Sequence, residues 1–426
     1  GAPVTAADCV ASIKRWGARD GMGQKLMDAT AELRAVDDRS FELVLSAPYG
    51  LVLESLGKIS SNVPFMMPER LAQTDPFEQV PEIIGSGPFL FVAEEWVPGA
   101  KVVYVRNPAY VPRAEAPSFA AGGKRPKVDR VEWHYIPDAA TAMNALMAGE
   151  IDYFELPPHD LLPIMESAPG VTVATLDELG QQGWVRLNHA LPPFDNPQMR
   201  QAALWMINQS DYLQAVVGNP AYYGTCPAYF GCGTPLESDV GAEALMSQDL
   251  DKARALVQEA GYDGTPVVIL QATDIPINNG AALVTAQLLR EIGVNVELQA
   301  MDWSTLTSRR AISDPVDQGG WNIFITWWIG ADILNPVANI GVSGGCRERA
   351  WFGWPCDEEI ERLRDAFARE PDPAEQRRLA EAVQRRAFEI VTYANFGKWF
   401  NPVAYRDNLT GMIPSPVQFF WNIDKQ

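Results

Sequence analysis

Our prediction of the fold starts from residues 320–336, Gly320-Trp-Asn-Ile-Phe-Ile-Thr-Trp-Trp-Ile-Gly-Ala-Asp-Ile-Leu-Asn-Pro336. Residues 321–328 are apolar, β-branched or aromatic apart from one asparagine and one threonine, which is typical of a strand buried on both faces. The residues from Gly330 to Pro336 favour turns and cannot continue a sheet. The sequence therefore predicts a buried strand that leaves its sheet near residue 329.

The end of this strand is the first candidate for a binding site. Ligands of α/β proteins bind outside the carboxyl ends of the strands, and Trp327, Trp328 and Asp332 stand at that end. The alternative interpretation is that both tryptophans belong to the core and that Asp332 caps a turn, because aromatic residues dominate cores as well as sites.

Composition limits the class of protein. The chain has 426 residues, 47% of them hydrophobic and 21% charged, and carries a net charge of −20. This length allows two or three domains. An acidic surface repels nucleic acid and anionic membranes, so we expect no nucleic-acid partner. No apolar stretch is long enough for a bilayer span, and no signal peptide is visible, although the chain does not begin like a natural start.

Four of the five cysteines form two close pairs, Cys226/Cys232 and Cys346/Cys356, in loops rich in glycine, proline and aromatic residues. Neither spacing is that of a zinc or redox motif. Two local disulfides are the better interpretation, and they imply an oxidising compartment. The fifth, Cys9, lies in a helical pattern and is predicted to be a buried thiol.

Two β-α-β units are predicted. The first comprises strand 128–136, a helix capped by Asp138, and a strand beginning at Ile151. The second comprises strand 266–271, helix 280–292 and strand 294–300. Thr5-Ala-Ala-Asp8 resembles a capping box and predicts the start of a helix that ends near Arg19. Other predicted elements are a hairpin over 31–47, a helix from Pro197 to Val217, and helices near 250–260, 357–369 and 373–391, followed by a loop-like region over 396–426.

Motifs for catalysis are poorly represented. The three histidines are far apart and lack metal-ligand spacing, and no phosphate-binding loop is present. One Gly-x-Ser-x-Gly match occurs at Gly341–Gly345 and would make Ser343 the nucleophile of a hydrolase. Because a nucleophile elbow needs a strand before the serine and a helix after it, and loops flank this one, we interpret the match as chance.

The ordered motifs of the chain resemble the extracytoplasmic solute-binding proteins of peptide- and nickel-type ABC importers. The resemblance covers essentially the whole chain. It is carried by Thr5–Ser12, Gly85-Ser-Gly-Pro-Phe89, Arg106-Asn-Pro-Ala-Tyr110, Pro137–Leu146 with Gly149–Asp152, Asp195–Ala202, and Asp251–Leu256 with Glu259–Tyr262.

The resemblance implies a bilobal α/β fold of the periplasmic-binding-protein type, in its type II, peptide-binding group. We expect residues 1–84 to form an extra, incomplete subdomain of the N-terminal lobe. Residues 85–188, completed by 405–426, form that lobe, and residues 189–404 form the C-terminal lobe. Family members carry further residues before the Thr5 helix, so the resemblance also implies a missing N-terminal part.

The resemblance further implies a monomeric, non-enzymatic receptor in the periplasm or at the cell surface. Such a receptor encloses a peptide or an amine-bearing solute between its lobes and delivers it to a membrane permease. No cofactor or metal is implied. The family's disulfide corresponds to Cys346/Cys356, whereas Cys226/Cys232 is not a general family feature.

Asp332, followed four residues later by Pro336, occupies the position of the carboxylate that meets a peptide's ammonium group in this family. The predicted ligand-binding residues are Asp332, Trp328, Trp327, Trp303, Gly330, Asn188 and Trp184. The family's pocket tryptophan usually stands three residues before the aspartate, where this chain has Ile329. Dipeptide receptors also place an arginine after the strand at 266–271, but residues 273–280 contain none, which favours a longer peptide or another polar or cationic solute.

Two other functions remain open at the level of sequence. One is a hydrolase that uses Ser343, and the other is a sensor or chaperone that presents its ligand without transport.

Overall fold

The computed structural model describes residues 1–426, which contain sixteen strands and fifteen α-helices. The strands are β1 Thr30–Asp37, β2 Ser40–Leu45, β3 Phe89–Phe91, β4 Lys101–Arg106, β5 Arg130–His134, β6 Tyr153–Phe154, β7 Val171–Ala174, β8 Gln181–Leu187, β9 Tyr223–Gly224, β10 Val267–Ala272, β11 Val296–Met301, β12 Ile323–Ile329, β13 Ala394–Trp399, β14 Val403–Arg406, β15 Leu409–Thr410 and β16 Asp424–Lys425. The helices are α1 Ala6–Arg19, α2 Gly21–Asp28, α3 Val52–Leu56, α4 Glu69–Ala72, α5 Ala139–Ala148, α6 Leu162–Ser167, α7 Pro197–Trp205, α8 Gln209–Val216, α9 Glu243–Met246, α10 Leu250–Glu259, α11 Pro276–Glu291, α12 Trp303–Arg309, α13 Cys346–Arg349, α14 Glu358–Arg369 and α15 Pro373–Ile390.

The chain forms two compact units. The first unit contains Gly1–Glu178 and Asn401–Gln426, and the second contains Leu179–Phe400. The predicted lobe boundary after residue 188 differs from this division, because β8 pairs with strands of the second unit. The predicted separate subdomain over 1–84 stays a prediction.

The first unit contains several small sheets. Strands β1 and β2 form the predicted hairpin, β3, β4 and β5 form one three-stranded sheet, and β6, β14 and β7 form another. Helix α1 begins with a capping box in which the Thr5 side chain accepts from the Asp8 backbone amide while the Asp8 carboxylate accepts from the Thr5 amide. This is the start that the sequence predicts.

The first predicted β-α-β unit is wrong in topology, although its elements exist. Helix α5 runs between Asp138, which caps it, and Gly149, which ends it in the left-handed conformation. Its flanking strands β5 and β6 belong to different sheets. Hydrophobic periodicity identifies a strand but not its partner, and β6 pairs instead with β14, from the region 396–426 that the sequence predicted as loop.

A six-stranded mixed sheet in the order β11-β10-β12-β8-β13-β9 organises the second unit. Strand β10 is parallel to β11 and β12, whereas β8 is antiparallel to β12 and β13. The parallel pair β10 and β11, joined by α11, confirms the second predicted β-α-β unit. All seven residues of β8 are buried, and Gly183 is required there because a Cβ atom would lie 2.0 Å from the Phe396 ring.

The predicted helix from Pro197 to Val217 is two helices, α7 and α8. They are separated at Met206–Asn208, where the Asn208 side chain accepts from the backbone amides of Ser210 and Asp211 and caps the second helix. An asparagine that can cap a helix favours a new start over a continuous helix. Helices α10, α14 and α15 confirm the remaining helix predictions of the C-terminal half.

No helix in residues 1–426 combines the length and the apolar character that crossing a bilayer would need.

Candidate functional site

The end of β12 lies where the sequence predicted it. The strand runs through Ile329 and passes directly into a 3-10 turn over Gly330–Asp332. The Gly330 amide donates to the Gly180 carbonyl at 2.6 Å, and a Cβ atom at Gly330 would lie 2.6 Å from Leu179 Cβ. Glycine is therefore needed for this turn to pack against the segment that leads into β8.

Asp332 is buried, with 5% of its surface exposed. A carboxylate in such a position is stable only when positive charge or hydrogen-bond donors compensate its lost hydration. Asp332 also stands at the carboxyl end of the central strand of the sheet, as expected for a ligand-binding residue of an α/β protein. A role in ligand binding stays a prediction.

The two tryptophans of β12 do not share a face. Successive side chains of a strand point to opposite sides of the sheet, so Trp327 contacts the Trp399 ring edge-on at 6.2 Å. Trp328 instead stacks on Trp184 at 5.7 Å and meets the Trp351 ring edge-on at 5.7 Å. Both are half-buried, and only one of them can line a given side of the strand end.

The Trp328 side chain is also unusual in its polar contacts. Its indole Nε1 is buried and has no hydrogen-bond partner. A buried N–H group without an acceptor costs about 1–3 kcal/mol, so native proteins rarely leave one.

Trp184 and Asn188, both predicted ligand contacts, are buried with 0% of their surface exposed. Trp184 stacks on Tyr393 at 4.2 Å and its Nε1 donates to Gln182 Oε1 at 3.0 Å. The Asn188 amide donates to the Trp321 carbonyl and its Oδ1 accepts from the Ala190 amide. These contacts indicate structural roles for Trp184 and Asn188. A ligand could contact either side chain only if the residues that cover it moved.

Trp303 begins α12, and its backbone amide donates to the Asp274 carboxylate at 2.8 Å. Its half-buried ring packs against a buried cluster on one face of the sheet. The cluster comprises Val268, Leu270, Ala272, Leu306, Trp321, Phe324 and Trp354, with Trp351 and Phe352 among the partly buried side chains packed against it.

Sequence reasoning did not identify Trp351, Phe352 or Arg310 as residues near the predicted site. The signal in the sequence was the aromatic run Trp351-Phe352-Gly353-Trp354 inside the loop closed by Cys346 and Cys356. A loop that is hydrophobic must pack somewhere, and this one packs on the face of the sheet that carries Trp328.

Both predicted cysteine pairs are within bonding distance in the second unit. Cys226 pairs with Cys232, and Cys346 pairs with Cys356. Cys9 is free and half-buried, which is less burial than predicted.

A small open hollow of about 10 Å³, which is about the room that one water molecule needs, lies beside the 3-10 turn within the second unit. Its lining includes Gly330, Ile333, Gln182 and Lys398. A larger hollow, lined by Tyr262, Arg290 and their neighbours, lies near the start of β10 and β11. That position is at the opposite end of the parallel strands from the turn. The predicted site therefore stays at the turn because of the chemistry of its residues, and not because of the volume of the hollow beside it.

The Gly-x-Ser-x-Gly match has a structural explanation. A Cβ atom at Gly341 would lie 2.6 Å from the rings of both Trp184 and Tyr393. Ser343 follows a 3-10 turn rather than a strand, is buried, and donates from Oγ to Glu361 Oε1 at 3.3 Å. The glycine therefore permits ring packing, and the serine has a carboxylate as its partner instead of a histidine base.

The histidines do not assemble a site. His189 Nε2 lies 3.0 Å from the Val391 carbonyl, and burial together with the charges of Arg200 and Arg186 holds the pKa of His189 well below its usual value. His134 contacts Glu132 on an exposed strand of the first unit. No group of three or more His, Cys, Asp or Glu side chains in residues 1–426 is arranged to hold a metal ion.

Comparison with known proteins gives the family. The model of the bacterial extracellular solute-binding proteins, family 5, matches residues 1–349. A probable peptide ABC transporter periplasmic-binding protein of Sinorhizobium fredii is 41% identical over all of this chain and 80% of its own length. A putative ABC transporter peptide-binding protein of Brucella ovis is 26% identical over 72% of this chain, which spans 56% of that relative.

Solved structures confirm the predicted fold class. The periplasmic binding protein AgaA of Agrobacterium tumefaciens R10, solved with agropinic acid, matches with a TM-score of 0.81 at 20% identity, covering 99% of this chain and 84% of its own. DppA of Helicobacter pylori, solved with the peptide STSA, matches with a TM-score of 0.80 at 20% identity, covering 99% and 81%. This chain thus belongs to the bacterial extracellular solute-binding proteins of family 5.

Proposed function

We propose that this chain is the solute receptor of an ABC importer and that it binds a peptide or a peptide-like solute with a free ammonium group. Family membership supports an extracytoplasmic receptor, and the named relatives support a peptide as the solute. The observation that carries the chemical part is the buried carboxylate of Asp332 at the end of the central strand.

A buried carboxylate such as that of Asp332 suits the ammonium group of a solute. A charge-assisted hydrogen bond between an ammonium and a carboxylate is shorter and stronger than a neutral one. Trp328 lies near the end of β12, four residues before Asp332, and offers an apolar ring and an indole N–H that lacks an acceptor. Binding sites commonly combine such apolar walls with a few convergent polar groups.

We propose further that the receptor works as a monomer in the periplasm, delivers its solute to a membrane permease and leaves it chemically unchanged. The hydrolase alternative loses its support because the Ser343 hydroxyl donates to Glu361 and Gly341 serves ring packing. A sensor that presents its ligand without transport would also bind the ammonium group through Asp332. It differs from the receptor of an importer only because it needs no permease.

Native mass spectrometry of protein purified without added solute tests the proposed class of ligand. We expect bound masses that fragment into short peptides or related amines. A set of bound molecules without any basic nitrogen would refute the proposal, because Asp332 would then have no ammonium to pair with. Replacing Asp332 with asparagine should empty the site, whereas Asp317→Asn, at an exposed position of the same unit, should not.

A further inference from the structure

One arginine of the second unit lies among four aromatic rings. Arg310 caps the end of α12, and its guanidinium carbon lies 5.0 Å from the ring centroid of Phe352 and 5.1 Å from that of Trp351. The rings of Trp303 and Phe324 lie at 5.4 Å and 5.7 Å. The face of an aromatic ring attracts a cation.

The guanidinium of Arg310 lacks the partner that a partly buried charge usually has. Its Nε is buried and has no hydrogen-bond acceptor, and no carboxylate forms an ion pair with it in residues 1–426. Burial lowers the pKa of Arg310 to about 10, so the group remains charged at neutral pH. The aromatic faces attract this charge without accepting its N–H bonds, and an anionic acceptor would complete the site.

Other buried arginines of the same unit show what a purely structural role looks like. Arg186, with 0% of its surface exposed, donates from Nε to the Phe352 carbonyl at 2.6 Å and from Nη1 to the carbonyls of Gly341 and Thr392. Arg364 donates from Nε to the Pro336 carbonyl at 2.8 Å and also pairs with a glutamate. Arg310 differs from both because its side-chain donors have no such acceptors.

Trp351 links Arg310 to the strand end. Its ring lies 5.1 Å from the Arg310 guanidinium carbon and 5.7 Å from the Trp328 ring. The indole Nε1 of Trp328 and the Nε of Arg310 are both buried without an acceptor. Two unsatisfied donors therefore flank one ring, on the face of β12 that carries Phe324 and Trp328.

We propose that Arg310 binds a carboxylate of the solute. The proposal rests on the proposed function, in which Asp332 binds the ammonium group, and it narrows the solute to one that carries both charges. A guanidinium presents its donors as a planar fork that matches a carboxylate. Arg310 is thus a specificity-determining residue, which selects acids over neutral molecules of the same shape.

A competition experiment tests this selection. Wild-type protein is mixed with an equimolar pool of tetrapeptides that contains the free-acid, the C-terminally amidated and the N-acetylated free-acid form of each sequence. The bound peptides are then released from the protein and counted by mass spectrometry. We expect at least a tenfold preference for the acids, in line with a charge-assisted hydrogen bond. Arg310→Gln should abolish the preference and Arg310→Lys should keep part of it.

Arg362→Gln is the matched control, because that exposed arginine pairs only with Glu359 on its own helix. It should keep the full preference for acids. Circular dichroism and thermal unfolding of each variant separate loss of recognition from loss of folding. A merely structural Arg310 would change the unfolding temperature without changing the ratio of acids to amides.

The remaining results each decide the question. Equal binding of acids and amides by the wild type, or a ratio unchanged in a folded Arg310→Gln variant, overturns the proposal. Amides that bind well only when they contain a glutamate support it and identify a side-chain carboxylate as the source. N-acetylated acids that bind as well as free amines refute the role of Asp332 but leave Arg310 supported. Failure of every peptide to bind contradicts the proposed function, and the present proposal with it.

Discussion

Removal of the Cys346–Cys356 disulfide should destabilise the second unit by a predictable amount. The bond joins cysteines 10 residues apart in sequence, and the loop-closure entropy of a segment of this length corresponds to about 2.7 kcal/mol at 25 °C. The loop carries Trp351, Phe352 and Trp354, whose rings pack on the face of the sheet that holds Phe324. Loss of the covalent closure should therefore also loosen this aromatic packing.

The double variant Cys346→Ser/Cys356→Ser avoids a free thiol and isolates this bond. Urea unfolding followed by tryptophan fluorescence suits the measurement, because nine of the thirteen tryptophans lie in the second unit. The double variant Cys226→Ser/Cys232→Ser is the control. Its cysteines are 6 residues apart, so it should lose about 2.2 kcal/mol.

The two variants differ in a second readout. Residues 227–231 between the control cysteines include no tryptophan, so the control should keep the near-ultraviolet circular dichroism of its tryptophans. The Cys346/Cys356 variant should lose part of that signal, because Trp351 contacts Trp184 and Trp328. A loss below about 0.5 kcal/mol together with an unchanged spectrum would show that packing, rather than the disulfide, holds the loop.

Three further substitutions test the packing and charge around the predicted site. Trp184→Ala removes a fully buried indole that stacks on Tyr393. It should lower the free energy of unfolding in urea by about 3–5 kcal/mol, and a decrease below about 1 kcal/mol would contradict this packing. Gly183→Ala places a methyl group 2.0 Å from the Phe396 ring and should cost about 1–3 kcal/mol, whereas Gly224→Ala, where no atom lies within 4 Å, should be nearly neutral. The pKa of His189 is held below its unfolded value, so protons favour the unfolded chain as the pH falls below about 6.5. Between pH 6.5 and 5.5 the free energy of unfolding of the wild type should therefore fall by about 1 kcal/mol more than that of His189→Gln. Equal decreases in chemical denaturation would refute the lowered pKa of His189.

The sequence predicted those elements that depend on local chemistry. The capping box at Thr5, the parallel pair flanking α11 and the end of β12 at Gly330 follow from capping, periodicity and turn propensity. Strand partners depend on distant residues. For that reason β6, which lies just after a well-predicted helix, pairs with β14 across more than two hundred residues.

The candidate site was predictable only in part. The position of Asp332 after an aromatic strand predicted a ligand-binding carboxylate; the structure shows that this side chain is buried, with 5% of its surface exposed, and its role in binding stays a prediction. The period of a strand separates Trp327 from Trp328, which sequence reasoning had grouped together. The unsatisfied guanidinium of Arg310 could not be found from sequence, because its isolation depends on which carboxylates and carbonyls fold near it.

A double-mutant cycle measured by calorimetry tests whether Asp332 pairs with the ammonium group of the solute. Wild type and Asp332→Asn are each titrated with a bound tetrapeptide and with its N-acetylated form. Loss of one partner of a buried charge pair costs about 3–5 kcal/mol, so acetylation should weaken binding to the wild type at least a hundredfold. The same acetylation should change binding to Asp332→Asn far less. Equal effects of acetylation on the two proteins would contradict the pairing.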